Sequence, residues 1–79
     1  IERSSILLGN IYTAEGKYQD ALEEFQTILK KNKNSADAYY GIGVIYEKQG
    51  DLVRARSEWR KAIKIQVNHP GAAAKLSEK

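Results

Sequence analysis

Few side chains in this sequence are equipped for proton transfer, nucleophilic attack or metal binding. The one histidine, His69, stands beside Pro70 between two helical stretches, and no nucleophile is paired with it in the sequence. It is read as a structural turn residue, because a general base needs a positioned partner. With one histidine and no cysteine, a zinc site lacks its usual ligands. The adjacent carboxylates Glu23 and Glu24 are read as solvated surface. Gly41-Ile42-Gly43 has the glycines of a phosphate-cradling loop but lies inside a helical pattern, without the strand that should precede such a loop. No catalytic, cofactor-binding or metal-ligating residue is expected, so the chain is read as a non-enzyme without a cofactor.

Charge offers one further kind of chemistry. Arg54, Arg56, Arg60, Lys61 and Lys64 form a basic segment relieved only by Glu58. Residues 1–34 carry five acids and five bases, so the net charge of +3 comes from the rest of the chain. Such a segment can attract nucleic acid, an acidic protein or an anionic membrane. No aromatic side chains interleave with it to stack on bases, since Trp59 falls in the packing pattern described below. The segment is therefore expected to be a solvated outer helix face, and contact with nucleic acid or another anion ranks as the weakest functional alternative.

The elements that position these groups must come from a small domain. A chain of 79 residues buries only about 60% of the surface its unfolded form exposes. Its 42% hydrophobic and 29% charged residues are ordinary for a globular protein. No apolar run reaches the roughly 18 residues of a membrane span, so none is expected, and nothing resembles a signal peptide. The chain starts at Ile1 and has no methionine, so it reads as a piece of a longer protein. Cytoplasm is the default compartment for such a chain.

Self-similarity is the dominant signal. A shift of 34 residues aligns Gly9 with Gly43, Ile11 with Ile45, Tyr12 with Tyr46 and Gly16 with Gly50. It also aligns Ala21 with Ala55, Glu24 with Glu58, Lys30 with Lys64 and Asn34 with Asn68, and places Leu8 on Ile42 and Phe25 on Trp59. Within each unit the apolar spacing predicts two helices. Leu8, Ile11 and Tyr12 share one face in the first unit, then Ala21, Phe25, Ile28 and Leu29. Ala38, Ile42, Ile45 and Tyr46 do so in the second, then Ala55, Trp59, Ala62 and Ile63. Gly16 and Gly50 suit a left-handed turn between the paired helices. Ser35 and Asp51 suit helix N-caps. Gly9 and Gly43 lie on buried faces, where a missing side chain would admit Phe25 and Trp59.

Tyr39-x2-Ile42-Gly43-x2-Tyr46 followed by Ala55-x3-Trp59 resembles the tetratricopeptide pattern, and Ser5-x2-Leu8-Gly9-x2-Tyr12 with Ala21-x3-Phe25 repeats it. The resemblance implies an all-α fold of stacked antiparallel helical hairpins in a superhelix, as a single domain over 1–79. Repeat one is expected over 2–35 and repeat two over 36–69, with a partial third repeat or capping helix over 70–79 in which Ala73 and Leu76 fall in register. Lys33 and Val67 stand where the family usually has proline, and Pro70 falls instead in a first helical turn.

In that family the first helix of each pair lines a concave surface that binds another polypeptide. The resemblance places Arg3, Ile6, Asn10 and Thr13 there from repeat one, and Asp37, Tyr40, Val44, Glu47 and Lys48 from repeat two. Ala74, Lys75 and Glu78 follow from the third helix. The spacing of Tyr40, Val44 and Glu47 puts them on one stripe. The expected function is a scaffold or adaptor that takes a peptide or helix of a partner, with Tyr40 and Val44 as anchors. A carboxylate-gripping clamp is not expected: Asn10 suits one, but Ile6 and Gly41 replace its polar companions. The main alternative is self-association into a homo-oligomer through exposed end faces.

Overall fold

The computed structural model describes residues 2–78, all of whose regular structure is helical: α1 (Glu2–Ala14), α2 (Tyr18–Lys31), α3 (Ala36–Lys48), α4 (Leu52–Ile65) and α5 (Pro70–Ser77). Helices α1, α3 and α5 begin at residues 2, 36 and 70, and α2 and α4 at 18 and 52, which reproduces the 34-residue period in space. Paired helices turn back on each other through Gly16 (φ +78°) and Gly50 (φ +85°). A Cβ at either glycine would meet open space, so it is the left-handed backbone that selects glycine there. Ser35 caps α3 by accepting the Ala38 N–H, and Asp51 caps α4 by accepting the Arg54 N–H.

Each hairpin buries its inner faces, and the next hairpin covers what remains. Helix α3 packs on α1, α2 and α4 and is the central element, hiding Ala36, Ala38, Gly41, Ile42, Gly43 and Ile45. One core cluster joins Ala21, Phe25 and Ile28 of α2 to Ala38, Ile42 and Ile45 of α3. The second joins Ala36 to Ala55, Trp59 and Ala62 of α4 and Ala72 of α5. A Cβ at Gly9 would stand 2.6 Å from Phe25 Cζ, and one at Gly43 would collide with the Trp59 indole.

Two expectations are corrected, the cover over α1 and the length of α5. Leu8 and Ile11 are 37% and 44% exposed, whereas their counterparts Ile42 and Ile45 are buried. The difference is one of neighbours: α2 covers Ile42 and Ile45, while no helix precedes α1 among the described residues to cover Leu8 and Ile11. In α5 the buried residue is Ala72 at 0%, and Ala73 is exposed. The period gives the reason, because Ala72 lies 34 residues after the buried Ala38. Helix α5 also ends at Ser77 and Glu78 is extended, so the third helix is shorter than 70–79; Lys79 lies outside the described residues.

Candidate partner-binding face

The successive first helices α1 and α3, together with the start of α5, form a trough with two basins. One, of about 470 Å³, is lined by Ile6 and Asn10 of α1, Asp37 and Tyr40 of α3, and Gln66, His69, Pro70 and Gly71 at the α4–α5 turn. The other, of about 410 Å³, is lined by Asn10, Thr13 and Ala14 of α1 with Tyr40, Val44 and Lys48 of α3. Asn10 and Tyr40 line both, so the basins lie side by side.

The expected face residues do not all reach this trough. Ile6, Asn10, Tyr40, Val44 and Lys48 line it, with Ile6, Tyr40 and Val44 half-buried and Asn10 and Lys48 exposed. Arg3, Ala74 and Glu78 are exposed but line neither basin. Thr13 is buried, and its hydroxyl donates to the Gly9 carbonyl at 2.8 Å, so it contributes wall rather than an offered hydroxyl. Glu47 also lines neither basin. Its carboxylate lies 2.9 Å from the Lys75 ammonium, which joins α3 to α5. That hydrogen bond holds the Lys75 pKa above the ordinary 10.5 against the opposing effect of burial. The Lys75 ammonium also lies 5.7 Å from the centre of the Trp59 ring.

Gly41 belongs to the core. A Cβ there would strike the tip of the Phe25 ring, which Gly9 also abuts. Tyr40 has a double role. It lines the trough, yet its ring packs over Gly71, where a Cβ would stand 2.7 Å from Tyr40 Cζ.

His69 carries an arrangement that sequence reasoning missed. The residue is 4% exposed and is the N-cap of α5, its Nδ1 accepting the Ala72 N–H at 3.1 Å. Its Nε2 lies 2.6 Å from Asp37 Oδ1, and its ring centre is 5.2 Å from that of Tyr40. One signal pointed to the cap: the 34-residue shift places His69 on Ser35, the cap of α3. Ser35 is also held by an acid from the preceding first helix, its hydroxyl donating to Glu2 at 2.8 Å.

The basic segment lies on the outer side of α4. Arg54 and Lys61 are drawn to Asp51 and Glu58 at 3.4 and 3.1 Å. Their cationic groups also lie over Tyr46 and Tyr39. Arg56, Arg60 and Lys64 form an exposed row at four-residue spacing. Among the described residues no group of three or more His, Cys, Asp or Glu is placed to hold a metal ion, and no helix is long and apolar enough to cross a membrane.

Known proteins share this repeat. A family model described as a TPR repeat matches residues 9–50, and another described as a tetratricopeptide repeat matches residues 36–69. The chain is 34% identical over 59 residues to Protein bimA of Emericella nidulans, covering 75% of this chain and 7% of that protein. It is also 34% identical over 62 residues to the probable biofilm formation methyltransferase WspC of Pseudomonas putida, covering 78% of this chain and 15% of that one. The chain thus spans only a small part of either relative. In three dimensions it superposes on the crystal structure of YrrB, a TPR protein with an unusual peptide-binding site, with a TM-score of 0.89 and 27% identity over 98% of this chain and 40% of YrrB. Repeats of this kind are typically non-enzymatic scaffolds that mediate contacts between proteins. Two family models together span most of the chain, and hairpins recur at the family's period, so the chain belongs to the tetratricopeptide repeat family.

Proposed function

We propose that the chain holds a peptide or helical segment of a partner protein in the trough between α1 and α3. The observation that carries this reading is the pair of adjoining basins that share Asn10 and Tyr40, with Ile6 and Val44 adding apolar wall. Half-buried apolar side chains flanked by amide and charged groups suit a recognition surface, where aromatic contact area supplies affinity and the polar rim supplies register. The peptide-binding site named for YrrB supports the same use of the fold. Val44 is the cleaner position to test, because Tyr40 also seats α5. In affinity capture from source-cell lysate, Val44→Glu with unchanged helicity should lose the partners the parent chain retains. Equal capture by both would overturn the reading.

A second reading, self-association, draws on a separate observation. Leu7, Leu8 and Ile11 present an apolar strip on α1, 61%, 37% and 44% exposed. The repeat-two residues in register with Leu8 and Ile11 are covered by α2. A second chain that covered this strip would make the mass rise with concentration. Sedimentation showing one monomer mass across the micromolar range would remove this reading.

A further inference from the structure

We propose that the end of the trough nearest α5 is a seat for a cationic side chain, an arginine carried by an otherwise apolar segment of the partner. The inference rests on the trough reading above and names what one end of the trough selects.

Its basis is the way Asp37 is held. Because His69 Nδ1 accepts the Ala72 N–H, that nitrogen carries no proton, and the imidazole proton sits on Nε2. The Nε2–H therefore donates to Asp37 Oδ1 at 2.6 Å. A buried ring thus fixes the carboxylate from behind through a hydrogen bond. The front of the carboxylate stays open, for the Asp37 side chain is 62% exposed while that of His69 is 6% exposed. Among the described residues only His69 pairs with Asp37, and only through Oδ1.

The surroundings match a cation. Tyr40 lies one helical turn beyond Asp37, its ring packed near the His69 imidazole and against the Gly71 backbone. Asn10 and Gln66 add neutral amide acceptors. Among the described residues no lysine or arginine lines this basin; Arg3, in register with Asp37 one repeat earlier, lies outside it. Asp37 is the only acid on its walls among the described residues. A guanidinium is weakly hydrated, makes charge-assisted hydrogen bonds to a carboxylate and stacks on an aromatic face. The lining offers both a carboxylate and an aromatic ring. Lys48 lines the other basin, so the two ends of the trough carry opposite charge and favour one direction of the bound segment.

The test is selection of a phage-displayed random dodecapeptide library on the chain, followed by affinity measurement on the peptides obtained. Selected peptides should carry an arginine among apolar residues. Replacing that arginine by glutamine should weaken binding at least ten-fold, with no change to the protein. Asp37→Asn should weaken binding by a similar factor, since an asparagine oxygen can still accept from His69 and keep α5 seated. If selected peptides bind in a Val44-dependent way but lack basic residues, or keep their affinity for Asp37→Asn, the cation seat is wrong and the trough stands. If no selected peptide depends on Val44, both readings fall.

Discussion

Phe25 and Trp59 occupy the same register one repeat apart, and the two halves of the molecule surround them differently. Phe25 is crossed by two helix backbones, at Gly9 of its own hairpin and at Gly41 of the next. Trp59 is crossed by one, at Gly43, and its indole N–H donates to the Tyr40 carbonyl at 3.3 Å. At the register of Gly41 the following helix has Lys75, whose ammonium lies over the indole and is tied to Glu47. One junction is closed by the close approach of two backbones, the other by a long side chain laid over a ring. The first accepts an added atom only at the cost of displacing the ring, whereas the second is held by contacts that can lengthen or rotate.

The strongest way to break this comparison is to remove the rings. Phe25→Ala and Trp59→Ala should each cost about 3–5 kcal/mol. That is a large share of the roughly 4–12 kcal/mol expected for a domain of this length. Urea unfolding followed by circular dichroism should show the midpoint of both variants far below that of the parent chain. A native-like midpoint for either would mean its ring is not a core element.

A smaller effect sharpens the difference between the junctions. Gly41→Ala forces a methyl group against the fully buried Phe25 ring and should cost about 1–3 kcal/mol. Lys75→Ala, at the equivalent register, loses a partly exposed ion pair and should cost no more than about 1 kcal/mol. Thermal melts of the two variants should therefore separate clearly, and equal shifts would abolish the distinction.

The smallest effect is one of pH. Because folding raises the Lys75 pKa, its contribution is complete below the ordinary 10.5 and is lost as pH rises through the higher folded value. The stability gap between the parent chain and Lys75→Met should be constant at neutral pH and shrink in strong alkali. A gap that stayed constant through that range would show that the Glu47 contact does not stabilise the fold.

The fold was legible because its determinants are local or strictly periodic. Gly16 and Gly50 announced the hairpin turns, Ser35 and Asp51 the caps, and the 34-residue shift the stacking. The trough was only partly legible. Helical spacing places Tyr40 and Val44 on one stripe, but it does not reveal that Tyr40 also packs on Gly71, 31 residues further along the chain. Likewise, Asp37 and His69 meet only once α5 docks. Neither Gly41 nor Leu8 could be assigned from periodicity alone, because a helical repeat identifies a face and not what covers it. Phe25 of the preceding hairpin covers Gly41, and no described helix covers that side of Leu8.

The single tryptophan gives the fold a built-in optical reporter. Trp59 is 1% exposed and packs against Ala72 of α5, an eight-residue helix at one end of the stack. Terminal units of a stacked array open before the whole unfolds. Detachment of α5 would let water reach the indole and move its fluorescence to longer wavelength while α1 to α4 kept their helical signal. Emission from one native side chain can thus time the release of the last helix separately from the collapse of the rest.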